Sequence, residues 1–514
     1  MIRQLLALSP ILGLALLPAE ASAQAKGSKA AYPYRIETIE TPEGLVPETG
    51  GLDFLPDGRL VAVFHHGEVM FYDPQKKTWH VFATGLHDPL GVVAVSEREL
   101  IVAQRPEITR LKDTDGDGRA DVFETITDEF GMSGNYAEFT HGPVMDAEGA
   151  LYFSLNTASN NGPVRPIIRG TYSPQGRIGR MFSAVPYRGW VMKVTPDGKT
   201  IPWASGFRSP NGLVLDKDGN LFVTDNQGDW LGPSKLFHVQ PGGFHGHPPS
   251  LAWEPGIHTI PLTIPVPILD KMRVREAVQI PYGFFANSPT QPVFDYTGGK
   301  FGPFEGQLFI GEMNHPMIMR VILEEVNHQL QGAVVPFIRS EELRLGNNRL
   351  AFAPDGSLWV GQTDHGWVGA KGIQRIVWTG ELPMDVYRIS LTMDGFDLEF
   401  TKPVDRKTAS DPKTYRVTRY YYEYSLNYGS PQHDKQAVPV TDVRVSPDGK
   451  RVSLKLAELK KDYIFQIDME GLAAADGTPL INSTVFYTIN QLRMPGAAPR
   501  PWTTTSVAGE TAGR

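Results

Sequence analysis

The segment Asp113 to Glu124, DTDGDGRADVFE, spaces four aspartates, Asp113, Asp115, Asp117 and Asp121, around Gly118 and ends on the acid Glu124. A hard cation such as Ca2+ takes about six to eight oxygens, and this spacing offers them from the five carboxylates and the carbonyl of Arg119. No helices of a sensor pair flank the loop, so it reads as a structural clamp and not as a switch. A second set of reactive residue types recurs in short phrases. HH carries His65 and His66, HD carries His87 and Asp88, QR carries Gln104 and Arg105, and Glu138, His141 and Asn156 follow. FRSPNG holds Arg208 and Asn211, TDNQGD holds Asp225, Asn226, Gln227, Gly228 and Asp229, and GEMNH holds Glu312, Asn314 and His315. NNR and QTDH supply Asn347, Asn348, Arg349, Gln362, Asp364 and His365. Imidazole, carboxylate and guanidinium groups move protons, hold anions or ligate ions when a fold collects them.

The elements that must collect them are repeats. Six stretches share one pattern of polar segment, apolar strand, tight turn, second apolar strand and polar segment: GGLDFLPDGRLVAVFHHG, HDPLGVVAVSERELIVAQRP, HGPVMDAEGALYFSLN, SPNGLVLDKDGNLFVTDNQGD, KFGPFEGQLFIGEMNHP and NNRLAFAPDGSLWVGQTDHG. Such strand–turn–strand units predict an all-β chain whose residues 34–380 form a six-bladed β-propeller, closed by YRIETI pairing with the last blade. The residues before each first strand and after each second strand then meet at one mouth of the central channel. The reactive phrases fall in those two slots, which predicts a polar ligand site there. Glu138, His141 and Arg208 are the catalytic candidates, and the Asp225–Asp229 phrase, Asn211, Glu312, His315, Asn348, Arg349, Asp364 and His365 are candidates for holding substrate or cofactor.

The run SGFRSPNGLVLDKDGNLFVTDNQGDWLGPSKLFHVQPGGFHGHP resembles the soluble glucose/sorbosone dehydrogenases, six-bladed propellers that use pyrroloquinoline quinone (PQQ) and Ca2+. The resemblance implies a carbohydrate or polyol substrate, hydride transfer to the quinone and an external electron acceptor. It also implies that Arg208 faces quinone and substrate and that Gly228 and Asp229 lie near a catalytic Ca2+. Where that family carries a catalytic histidine this chain has Glu138, with His141 three residues on. Where it carries three cationic anchors this chain has Asn314, Gly346 and Asn348. SPNG is also similar to the gluconolactonase and strictosidine-synthase-like propellers, which implies a metal-dependent lactonase, hydrolase or lyase with Asn211 as a ligand of a central ion and Glu138, Asp225 or Glu312 supplying charge. A non-catalytic glycan-binding protein is the third reading.

After Gly380 the alternation of VYRISLTMDGFDLEF and VTDVRVSPDGKRVSLKL predicts a second domain over residues 384–491, a β-sandwich that resembles the immunoglobulin-like modules of secreted bacterial enzymes. From residue 492 the Pro, Thr, Gly and Ala content predicts a disordered tail. At the other end, Arg3, an apolar run and the ASA before Gln24 read as an export signal over residues 1–23, followed by a flexible segment over 24–33, which implies a periplasmic or extracellular protein without membrane insertion. The absence of cysteine excludes disulfides and covalently attached haem, and a net charge of −8 gives nucleic acid no electrostatic footing.

Overall fold

The computed structural model of the chain describes residues 33–166 and 168–495 and the backbone of residues 500–501. Six antiparallel four-stranded blades follow one another, five as separate sheets and blade five as the first four strands of a nine-stranded sheet. Their first strands are Thr49–Phe54, Gly91–Ser96, Thr140–Met145, Pro210–Leu215, Pro289–Phe294 and Asn347–Phe352. Each of these touches the first strand of the next blade, and that of blade six touches that of blade one, so the ring closes. The sixth sheet takes its outermost strand, Tyr34–Ile39, from the other end of the chain, paired from Tyr34↔Trp378 to Ile39↔Ile373.

Packing explains why the repeats must close. The middle strand Leu60–Phe64 is buried throughout. Its alternate residues go to opposite sides: Val61 and Val63 join the core shared with blade two, whereas Leu60, Ala62 and Phe64 join that shared with blade six. Phe222 and Val223 divide in the same way between the interfaces of blade four with blades five and three. Each such side chain larger than alanine contributes about 1.5–3 kcal/mol by leaving water, which no isolated blade could realise on both faces. In the turns between first and second strands, Gly58, Gly149, Gly219, Gly306 and Gly356 take positive φ, the conformation that the D-G and E-G phrases supply.

Downstream of residue 384, the sheet formed by Val386–Leu391, Gly395–Phe400, Arg451–Leu456 and Val440–Val445 faces a second set of strands across one core. This second set is not free-standing. Thr484–Ile489 pairs with Gln329–Arg339, the last strand of blade five, so that propeller sheet continues into the C-terminal region, and Ala333 and Val335 of blade five enter its core. A hairpin strand, Tyr424–Tyr428, reaches back to pair with Asp229–Leu231 beside blade four. Arg500–Pro501 pairs with Glu324 and Glu325, so part of the tail expected to be disordered is a strand. The expected export signal over residues 1–23, the segment 24–32 and residues 496–499 and 502–514 of the tail lie outside the described residues.

Candidate functional site

The blades approach one another most closely at the axis. A Cβ on Gly91 would lie 1.9 Å from the carbonyl oxygen of Gly142, so glycine is required there for the first strands of blades two and three to touch. The channel is correspondingly small: the cavity lined by Leu52, Leu90, Gly142, Asn211, Gln291 and Arg349 holds about 20 Å3. Arg349 is part of its lining. Its Nε donates to the Gly50 carbonyl (2.7 Å), Nη1 to the Asn211 carbonyl and Oδ1 (both 3.1 Å) and to Asn348 Oδ1 (3.0 Å), and Nη2 to the Leu90 carbonyl (3.1 Å) and His141 Nδ1 (2.9 Å). Burial without a neighbouring carboxylate pulls its pKa down to about 9.

This arrangement corrects the expectation of a central divalent ion. The Asn211 oxygen meant to ligate it accepts from a guanidinium that occupies the same space. The carboxylates meant to supply charge are also committed: Asp225 accepts from the backbone N–H groups of Arg208 and Ser209, and Glu312 from those of Asn287, Ser288 and His315. Gln104 accepts likewise from His87 N–H at 2.7 Å. The last residue of a blade's second strand thus braces the loop leading into the first, a structural use for several slots whose polarity suggested ligand binding.

The Glu138 carboxylate is engaged within its own loop. Both its oxygens accept from Ser133, at 2.7 Å from the backbone N–H and 2.7 Å from the hydroxyl. His141 is engaged too: it accepts from Arg349 at Nδ1, which places its proton on Nε2, and burial and then the Arg349 charge hold its pKa well below the usual value. Blades one, two and six instead bring together a cluster outside the catalytic candidates. His65 Nδ1 lies 2.6 Å from Asp88 Oδ1, and Arg105 holds the other Asp88 oxygen through Nε (3.1 Å) and Nη2 (2.6 Å). Burial would raise the Asp88 carboxyl, but the His65 ring and the Arg105 guanidinium keep it well below its usual range. The carboxylate therefore fixes the His65 proton on Nδ1. Nε2 keeps a free lone pair, buried and without a hydrogen-bond partner, and burial pushes the ring's pKa down, so it is neutral at neutral pH.

His365 stacks on His65 with 4.3 Å between ring centroids and an interplanar angle of 16°. Its Nδ1 bonds Glu48 Oε2 at 2.8 Å, and its Nε2 lies 3.7 Å from Asp88 Oδ1. His65, Asp88 and His365 are close enough to share an ion. Parallel rings, however, aim their lone pairs in parallel and not at one point, and the Arg105 cation already neutralises Asp88. Glu48 also bonds Lys371 at 3.1 Å; burial would raise its pKa, but His365 and Lys371 bring it down to about 2.

A related arrangement stands at blade four. Arg208 Nε donates to Asp229 Oδ1 at 2.8 Å, and His247 Nε2 lies 3.2 Å from Asp229 Oδ2. The Arg208 guanidinium crosses Gly228 so closely that a Cβ there would meet Nε at 2.1 Å. The Gly228 carbonyl, expected near a catalytic Ca2+, accepts from Gly429 N–H of the C-terminal hairpin. Asn226 accepts from the buried Lys235 at its carbonyl (2.6 Å), the Gln227 N–H donates to Ser234, and Asn348 Nδ2 donates to the Thr49 carbonyl. His315 and Asp364 stay half-buried at the rim, Asp364 being 3.6 Å from Lys371.

A planar tricarboxylate such as PQQ needs several free cationic groups. Arg349 and Arg105 are spent on carbonyls and Asp88, Lys235 on the Asn226 and Pro233 carbonyls, and Lys371 on Glu48 and Asp364. Arg208 and the exposed Arg180 keep free guanidinium donors near the mouth; with Asn314, Gly346 and Asn348 at the anchor positions, the chain lacks the three cationic anchors of the dehydrogenases the sequence resembles.

The acidic loop lies after the third strand of blade two, at the end of the blade opposite the mouth. Oxygens of Asp113, Asp115 and Asp117 lie within 4.8 Å of one another. Asp121 instead accepts from Thr114 N–H and hydroxyl, and Glu124 faces Arg110 and Lys112, each at 3.5 Å, from the strand Val122–Thr127. Glu124 is therefore removed from the expected ligand set.

A family model described only as a domain of unknown function, DUF7133, matches residues 72–364. The chain belongs to that family. The DUF7133 match takes in Asp88, Arg105, His141, Arg208 and Arg349 and stops one residue short of His365. No curated protein matches the chain. Among solved structures, a putative oxidoreductase (glucose dehydrogenase) of Thermus thermophilus is 17% identical with a TM-score of 0.49, covering 67% of this chain and 100% of its own. The PQQ-bound aldose sugar dehydrogenase of Streptomyces coelicolor gives 14%, 0.47, 67% and 98%, and a gluconolactonase of Xanthomonas campestris 14%, 0.40, 67% and 89%. Likenesses this remote carry no statement about the function of a DUF7133 protein.

Proposed function

We propose that the protein is an exported enzyme that acts on a carbohydrate or polyol at the propeller mouth, with His65 as the base that takes a hydroxyl proton. The single observation behind this reading is the lone pair of His65 Nε2, buried and unpartnered, on a ring whose other nitrogen is fixed by Asp88 and through it by Arg105. A substrate hydroxyl that reaches Nε2 in the plane of the ring gives up its proton there, while His365 stays stacked on the ring face. Asp88 then stabilises the imidazolium that forms. His141, with its proton on Nε2, is a neutral donor to the oxygen left behind. Exposed aromatics on mouth loops, Tyr136 (54%), Trp367 (62%) and Tyr428 (47%), provide apolar faces with polar edges, which suits sugar rings. In the leading reaction class, oxidation, the hydroxyl proton goes to His65 and the hydride of the hydroxyl-bearing carbon goes to an external two-electron acceptor, giving the carbonyl product, and no step is assigned to PQQ. The Asp113, Asp115 and Asp117 loop is assigned a structural Ca2+.

The test is a panel of aldoses and polyols with a redox dye, with and without added PQQ and Ca2+, run beside a panel of sugar lactones. His65→Gln is expected to lower whichever turnover is found by at least about 100-fold with little change in melting temperature. The wild-type acid limb is expected below pH 6.5, because the ring's pKa is held down. Full turnover in His65→Gln, or ligand binding without turnover in the wild type, overturns the assignment.

A further inference from the structure

Between blades three and four the mouth carries a group of residues from three distant parts of the chain. Arg180 lies on the long excursion of blade three, one residue before the short strand Met181–Phe182, and is exposed. Arg208 stands at the start of blade four. Tyr428 comes from the C-terminal hairpin, in register with Asp229. The guanidinium carbons of Arg180 and Arg208 lie 4.3 and 5.5 Å from the centroid of the Tyr428 ring. Arg208 uses only Nε on Asp229, leaving its terminal nitrogens without a hydrogen bond among the described residues, and the Arg180 side chain has no carboxylate within ion-pair distance there. Two guanidinium groups lie against one exposed ring, and Asp229 is the one carboxylate paired with either side chain among the described residues, which leaves free donors on both.

We propose that Arg180, Arg208 and Tyr428 form a subsite for the carboxylate of an acidic sugar, a uronic or aldonic acid, so that the C-terminal region supplies part of the specificity of the propeller mouth. The inference rests on the reading of the mouth as a carbohydrate site and adds the charge of the substrate to it. A guanidinium recognises a carboxylate through paired N–H donors, and the tyrosine face holds the long arginine side chains in place for it. The geometry also gives the hairpin a role beyond packing: Gly429 N–H to the Gly228 carbonyl (2.8 Å) and Ser430 N–H to the Tyr282 hydroxyl (2.7 Å) fix the tyrosine on the propeller.

The experiment is calorimetric titration of the full chain with glucuronate, glucose and glucose 6-phosphate, repeated with Arg180→Gln and Tyr428→Ala. Arg180 is exposed, so its replacement leaves folding intact, which unchanged melting verifies. The expected result is glucuronate binding at least ten-fold tighter than glucose, with the preference reduced at least five-fold in each variant and by added salt. Equal binding of glucose and glucuronate overturns the anionic subsite while leaving the mouth as a sugar site. A preference for glucuronate that both variants retain overturns the assignment to these residues. Tighter binding of glucose 6-phosphate than of glucuronate overturns the carboxylate in favour of a phosphate. Absence of binding by all three sugars overturns the subsite and the carbohydrate reading together.

Discussion

Arg349 Nη2 donates to His141 Nδ1 across 2.9 Å, joining blade six to blade three at the propeller axis. The same guanidinium reaches Gly50 of blade one, Leu90 of blade two and Asn211 of blade four, so five of six blades meet on one side chain. Where an ion could have gathered inward-facing carbonyls, this chain uses an organic cation that is covalently its own.

Arg349→Met is therefore expected to lose more stability than its hydrophobic volume suggests. It leaves the carbonyls of Gly50 and Leu90 and the Asn211 side chain buried without a donor, at about 1–3 kcal/mol for each unsatisfied group. Denaturant unfolding measures this. A loss under about 1 kcal/mol would show that the guanidinium does not hold the ring together.

Stability should fall as pH drops from 7.5 to 6. Burial lowers the pKa of His65, His141, His238 and His245, the last to about 4. Below 6.5 the unfolded chain takes protons that the folded chain refuses, so these rings stabilise the fold above that value and lose their contribution on the way down to their folded pKa. Asp53 and Asp295, raised by burial to about 6, act in the opposite sense, chiefly below pH 6. Glu312, Glu324 and Asp385, also raised by burial, act with these two acids, and the four rings are expected to leave a net loss over that interval. Unfolding free energies that do not change between pH 7.5 and 6 would contradict the buried, neutral state of these rings.

Chelation is expected to lower the melting temperature by several degrees, because an ion that binds only the folded state stabilises it by mass action. Asp117→Ala should remove that response. Glu124→Gln should keep it, since Glu124 faces Arg110 and Lys112 and not the other acids. Loss of the response in Glu124→Gln would restore the full twelve-residue ligand set.

A chain ending near residue 380 should aggregate. It would expose the edge of Gln329–Arg339, which in the intact protein is paired with Thr484–Ile489, along with Ala333 and Val335 of the shared core. An unpaired apolar edge strand is a template for association. A soluble, monomeric propeller from that truncation, seen by size-exclusion chromatography, would show that the C-terminal region is dispensable for folding.

The blades were legible in the sequence because each repeats the same turn and the same buried strands, as LPDGRLVAVF and APDGSLWVGQ show. The position of the mouth followed from that repeat. The roles of its residues did not, because a slot says where a side chain begins and not which partner it finds. Asp225 and Glu312 brace backbone loops, and His141 serves Arg349, whereas the slot residues His65 and Asp88 form the pair with the free nitrogen. Glu48 occupies the same slot in blade one and could have been found by the same rule. Tyr428 could not, since it comes from a strand nearly two hundred residues from its partner Asp229, and no local pattern announces that pairing.

The strand Tyr34–Ile39 completes the sheet that begins at Asn347, which sets an order of events during synthesis. The first part of the described chain to leave the ribosome waits for more than three hundred further residues before its partner Gly372–Trp378 exists. Until then blade one has no neighbour on its blade-six face, and Leu60, Ala62 and Phe64 stay uncovered. Blades one to five can stack as they emerge, but the circle is made in a single late step, and a translation arrest before residue 378 leaves an open arc with sticky ends. Circular permutants that start between blades would move this vulnerability to another seam without removing it.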